Sequence, residues 1–151
     1  MLVGVDVISS DASPADKLAF VLKSDLPIAI WLGISVGILA RHRFFTPEDI
    51  DGGGLSNGTE VAKIFQANLQ NTLEQSVLAV LAHSIWIVSL PPESAFTIWV
   101  AVVLFVVGRI MFLAGYRKGA PARAVGFALT FYPSMLLLAI SLVSVVVGTF
   151  R

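Results

Sequence analysis

The sequence predicts an all-α fold, an integral membrane bundle of four transmembrane helices, and three observations carry that expectation. Hydrophobic residues make up 56% of the 151 and charged residues 13%, with a mean hydropathy of +0.86, well outside the soluble range. Four apolar stretches each approach the roughly 20 residues that cross a bilayer as a helix. Between them lie clusters of Pro, Gly, Asp and basic residues of the kind that stop helices. A soluble fold would have to bury all four stretches, and the remaining polar sequence is too short to coat them.

Met1 to Asp16 hold three aspartates and no Lys or Arg before Lys17, so they lack the basic start of a secretory signal and read as a retained extension. Residues 1–24 are assigned to that extension and 25–151 to the transmembrane domain. The first span covers Leu26 to Ala40, lengthened backwards through Leu18 to Leu22, with Pro27 tolerated near a helix start, and it ends at Arg41-His42-Arg43. Thr46-Pro47-Glu48-Asp49 and then Gly52-Gly53-Gly54 up to Asn57-Gly58 read as an exposed loop, after which Thr59 or Asn57 caps the second span.

That second span, Glu60 to Leu90, is polar in its first half (Gln66, Asn68, Gln70, Asn71, Glu74, Gln75) and apolar in its second, and Pro91-Pro92 stops it. The third, Ser94 to Tyr116, is apolar all round from Ile98 to Val107 and carries a lone Arg109. Arg117 to Pro121 is too short to do anything but join antiparallel neighbours. The fourth span runs from Ala122 to Gly148, with Pro133 as a kink that adjacent helices can accommodate.

Orientation follows from the placement of Lys and Arg. Arg41, Arg43, Lys63, Arg117, Lys118 and Arg123 flank the first and third connections, six residues against the three (Lys17, Lys23, Arg151) of the second connection and the termini. The excess puts the first and third loops in the cytoplasm and both termini on the opposite side. A formal net charge of zero gives no footing for nucleic acid. With no cysteine there is no disulfide, thiolate metal site or cysteine nucleophile, so any thiol chemistry must come from a ligand.

Ionisable groups at membrane depth cost several kcal/mol unless paired, which makes them the default functional candidates. Glu74 and Arg109 stand out, and a salt bridge between them would offset the desolvation of each. Its bland reading is a lock on helix register. Asn71 lies one turn before Glu74 on the same face, with Asn68, Gln75 and His83 near the edges of that face. A carboxylate beside an amide suits a ligand bearing an ammonium and peptide amides, although amides also serve plain interhelical hydrogen bonding. A second cluster, Tyr116, Arg117, Lys118 and Arg123, surrounds the last turn, and Arg123 near a helix start favours an anion. Contact with lipid headgroups is the competing explanation.

Neither His42 nor His83 has carboxylate or histidine partners at ligand spacing, so no metal site is expected. Gly52-Gly53-Gly54 lacks the Lys-Ser/Thr of a phosphate loop and reads as flexible. Trp31, Trp86 and Trp99 fall toward span ends, as in an interfacial belt.

In order along the chain, Arg41-His42-Arg43-Phe44-Phe45-Thr46-Pro47-Glu48-Asp49, Asn71-Thr72-Leu73-Glu74, Val107-Gly108-Arg109 with Tyr116 seven residues on, and Arg123 seven beyond that form a pattern. It resembles the membrane-associated proteins in eicosanoid and glutathione metabolism, the MAPEG family, over about Leu26 to Leu142. Each motif alone is weak, and their ordered combination is specific for the family more than for one activity.

The resemblance implies a homotrimer with glutathione bound as co-substrate between subunits, and no metal. Asn71, Glu74 and Tyr116 would bind glutathione, Arg109 would hold Glu74 and line the site, and Arg123 would lower the thiol pKa. Arg41, Arg43, Asp49 and Arg117 are auxiliary candidates, Asp49 matching an acidic residue argued to assist in the prostaglandin synthase. There are departures. Ala67 stands where an arginine often sits, Leu69 replaces a polar residue, Phe112 replaces the tyrosine of leukotriene C4 synthase, and Ala124 replaces a serine.

The leading expectation is thus a glutathione transferase or peroxidase acting on a lipophilic second substrate from the membrane lipid. A non-catalytic subunit or lipid-binding protein of the same fold is the alternative, motivated by Ala67 and Leu69. A transporter or channel draws only on the polar start of the second span, and no repeated halves support it.

Overall fold

A computed structural model describes residues 7–52, 55 and 57–149. The first six residues of the expected extension, Gly53, Gly54 and Ser56 of the first loop, and Phe150 and Arg151 at the C-terminus lie outside the described residues. Among the described residues there are five helices and no strand: α1 (Pro14–Ser24), α2 (Leu26–Phe45), α3 (Glu60–Ser89), α4 (Phe96–Gly115) and α5 (Ala120–Thr149). Three short 3-10 turns, Pro47–Asp49, Pro92–Ser94 and Tyr116–Lys118, sit in the connections. The four longer helices, α4 taken with its flanking turns, are long and apolar enough to cross a membrane.

The expected backward extension of the first span is instead a separate helix. Ser13 accepts from the Asp16 amide and Asp16 returns the bond to the Ser13 amide, so α1 starts in a reciprocal cap with Pro14 at its first position. The chain turns at Asp25 (φ −83°, ψ 0°). Two residues on, Pro27 has no N–H to carry the helical ladder back across that point, and the Asp25 carboxylate is drawn inward to another helix. The α1 helix is packed into the bundle: Val21 is fully buried in the same core as Ile28, Ala82, Ile98 and Phe105.

At its other end α2 continues past the basic run to Phe45. Cationic side chains are favoured at a helix C-terminus, so Arg41-His42-Arg43 prolongs the helix where it was expected to end it. Thr46, preceding Pro47, is extended and stops it. The first loop is also more closed than an exposed loop. Asp49 is buried: its Oδ1 accepts from the Thr59 amide at 2.7 Å and its Oδ2 from the Thr59 hydroxyl at 2.7 Å and His42 Nε2 at 2.9 Å. Gly58, at φ +64°, turns the backbone into that clip. Thr59 is the cap of α3, accepting from the Ala62 amide at 3.2 Å.

The expectation for the histidines concerned partners at metal-ligand spacing; in the fold each meets a single carboxylate, His42 bonding Asp49 and His83 Nδ1 donating to Asp25 Oδ1 at 2.7 Å with both residues buried. Fifty-eight positions separate them, and only the fold brings them together. Trp86 is likewise buried, donating to the Ser94 carbonyl, while Trp99 remains exposed and bonds Ser24.

The closest packing is between α4 and α5, and glycine makes it possible. A Cβ on Gly126 would lie 2.4 Å from the Phe112 amide nitrogen, one on Gly108 2.8 Å from the Gly126 carbonyl, and one on Gly115 2.4 Å from the Ala122 carbonyl. Backbones therefore touch along three positions, as small residues permit in membrane helix pairs. The two helices are joined through Gly119, whose φ of +93° few other residues adopt. α3 packs against both α5 and α2 and completes the bundle.

Candidate functional site

The α2–α3 connection and the α4–α5 turn lie at one end of the bundle, and the polar half of α3 faces the same end. The inward face of α3 there is Asn68, Thr72, Gln75 and Ser76, all buried. Asn71 is half-buried beside this face, while Glu74 is exposed. The phase of α3 thus differs from the expectation: Asn68 and Gln75 occupy the centre of the buried face, and Glu74 lies outside it.

The expected Glu74–Arg109 ion pair does not form within the chain. Glu74 is bonded by its own helix, with Gln70 Nε2 donating to its Oε1 at 2.9 Å. Arg109, with 1% of its surface accessible, instead donates through Nη1 to Asn71 Oδ1 and through Nη2 to Thr130 Oγ1, both at 2.8 Å. The cause is geometric. The glycine contacts draw α5 against α4, so a residue of α5 reaches the guanidinium before the outward-facing carboxylate of α3 can.

From Arg109 a chain of contacts leads to the end of the bundle. Its guanidinium lies over the Phe112 ring at 4.6 Å. The Phe112 and Tyr116 rings meet edge-on at 5.5 Å. Over the Tyr116 ring, again at 4.6 Å, lies the guanidinium of Arg123, which makes no hydrogen bond or ion pair among the described residues. Cation–π contact fixes its position without neutralising it. The fourth residue of α5, it adds its charge to the positive pole of that helix.

Asn71, Arg109, Tyr116 and Arg123 are therefore one contiguous group within a single chain. Glu74, Arg41, Arg43, Asp49 and Arg117 are not part of it. Asp49 and His42 hold the first loop to the start of α3, Arg43 donates to Gln66 at 3.1 Å, and Arg41 and Arg117 are exposed. The Thr59 hydroxyl's hydrogen bond, opposed by desolvation and helped by the Thr59 amide and His42, holds the Asp49 carboxyl below the usual carboxylate range.

Two members were missed in the sequence. Phe112 entered only as a departure from a tyrosine, yet it joins the two guanidinium groups. Thr130 carried no signal beyond being a hydroxyl on an apolar helix. An apolar groove of about 850 Å³ between α4 and α5, lined by residues such as Val100, Leu104, Tyr132 and Leu136, touches none of the group.

The model of the MAPEG family matches residues 26–143, most of the chain. Comparisons with curated proteins and with solved structures gave no match.

Proposed function

This chain belongs to the MAPEG family, an integral membrane protein of four spans related to glutathione transfer and eicosanoid metabolism, and from that premise we propose that it is a glutathione-dependent transferase or peroxidase. The observation that carries the reading is the Arg123 guanidinium, stacked on Tyr116 with no anionic partner among the described residues, at the end of the Asn71–Arg109–Phe112–Tyr116 chain of contacts. A cation held in place and left unpaired lowers the pKa of a thiol beside it, and the thiolate is the nucleophile. The thiol proton leaves to solvent. The thiolate sulfur bonds to an electrophilic carbon of the second substrate, whose leaving group departs with its electron pair; in the peroxidase reaction it bonds to a hydroperoxide oxygen as the O–O bond breaks and the alkoxide leaves and takes up a proton, and a second glutathione thiol then converts the sulfenic acid to the disulfide with release of water.

The chain has no cysteine, so the nucleophile belongs to the co-substrate. Glu74, exposed and steadied by Gln70, offers a carboxylate to the ligand's ammonium. Its position on the outer surface suits a site closed by a neighbouring copy, as in the proposed homotrimer. The second substrate is lipophilic and reaches the site from the bilayer, and the site end of the bundle faces the cytoplasm. Purified protein in detergent should conjugate a chlorinated dinitrobenzene with glutathione, and Arg123→Ala should cut kcat by about 10²-fold. Absence of both glutathione binding and turnover with several electrophiles would sink the proposal.

A specific observation keeps the non-catalytic reading in view. Ala67 and Leu69 provide no polar side chain where glutathione contacts are expected. Copurification with a larger membrane complex would favour that reading, and a self-contained assembly with saturable glutathione binding would count against it.

A further inference from the structure

Among the described residues Arg109 is the largest fully buried side chain, and no carboxylate of theirs pairs with it. Its two terminal nitrogens are committed instead, one to an amide on α3 and one to a hydroxyl on α5. A guanidinium has donors only, so the Asn71 atom 2.8 Å from it must be the amide oxygen, which removes the usual ambiguity between oxygen and nitrogen in an asparagine. Asn71 Nδ2 is then left over, and it makes no hydrogen bond among the described residues. The Thr130 hydroxyl is equally directed: its proton goes to the Phe127 carbonyl at 2.9 Å, so toward Arg109 it can only accept. Every bond in the series has one allowed sense: Arg109 donates both to Asn71 and to Thr130, and Thr130 donates on to the Phe127 carbonyl.

We propose that Thr130 is a positioning residue which, through Arg109, holds the Asn71 amide with its N–H donors toward the ligand. The Asn71 subsite therefore takes a hydrogen-bond acceptor, a peptide carbonyl or carboxylate oxygen. One helical turn away Glu74 is acceptor-only and takes a donor. The pair reads the polarity of a zwitterionic peptide, accepting one direction along α3 and rejecting the reverse. This rests on the glutathione reading for the ligand but on the geometry of Arg109 for the positioning, and the two can fail separately.

The test uses the full chain in detergent with Thr130→Val, Thr130→Ser and Asn71→Asp. Thr130→Val should raise the Kd and KM for glutathione about tenfold while kcat at saturation holds, and Thr130→Ser should restore wild-type values to within about twofold. Asn71→Asp keeps an oxygen for Arg109 and adds an ion pair, so it should fold at least as stably as wild type and yet lose glutathione binding, having no donor left to offer. Equal binding by Asn71→Asp and wild type would overturn the proposal. So would a Thr130→Val protein whose thermal midpoint falls while its Kd stays put, which is the outcome of a purely structural hydroxyl.

A ligand-free readout separates the two claims. The chain has three asparagines, Asn57, Asn68 and Asn71, so ¹⁵N-asparagine labelling gives an assignable set of side-chain amide signals. Those of Asn71 should move in Thr130→Val and return in Thr130→Ser. If they do so in a protein that binds no glutathione, the positioning stands and the glutathione reading falls; if they stay unmoved, the positioning is wrong.

Discussion

Asp49 shows how one carboxylate can be read two ways. By resemblance it was an auxiliary of the chemistry, whereas its three bonds to Thr59 and His42 make it the clip of the first loop. Its pH behaviour follows from the direction of its shift. The folded carboxyl is held below the ordinary value, so the clip stabilises the fold at every pH above about 3.9 and that contribution is lost as pH falls through the lower, folded value. Asp49→Asn should therefore lower the thermal midpoint near neutral pH, with the difference from wild type vanishing in stronger acid. A difference that persists undiminished there, followed by circular dichroism in detergent, would contradict the clip. Residue types were legible in the sequence, and partners were not. Asn71, Arg109, Tyr116 and Arg123 could be chosen because polar groups on apolar helices are conspicuous. That Arg109 meets Thr130 instead of Glu74 depends on how closely α5 approaches, which no single helix encodes.

At the scale of the element, the contact of α4 with α5 places the site. Gly108, Gly115 and Gly126 let Arg123 start α5 beside Tyr116 and bring Thr130 to Arg109. Gly126→Ala should force the helices apart, costing about 1–3 kcal/mol of stability, and should weaken glutathione binding because Thr130 withdraws from Arg109. Gly148→Ala, where an added Cβ meets nothing within 4 Å, should change stability by less than about 0.5 kcal/mol. Thermal midpoints of the two variants compared with wild type check this, and equal tolerance of both would show that the close approach is unimportant. Span limits were readable from Pro91-Pro92, the basic turns and the apolar runs, because breakers act locally. The separate α1 helix was not, because its cause is shared between Pro27 and a histidine far along the chain that takes up the Asp25 carboxylate.

At the scale of the molecule, the chain is a bundle whose outer faces on α2 and α5 carry exposed residues such as Ile30, Leu136, Leu142 and Val143, as expected where lipid is the solvent. One end gathers the Asn71-to-Arg123 group, and the other holds the buried Asp25–His83 pair. Hydropathy and charge placement conveyed four spans and the end worth attention. They could not convey that Glu74 would stand outside the bundle, since that depends on the phase of one helix against three others. The central claim is that Arg123 holds glutathione as its thiolate, and ultraviolet difference absorbance of the glutathione-saturated protein near neutral pH tests it most directly. A saturable thiolate band is expected in the wild type, disappearing in Arg123→Ala while calorimetry still detects bound glutathione. Bound glutathione with no thiolate band in the wild type, or a band undiminished in Arg123→Ala, would contradict it.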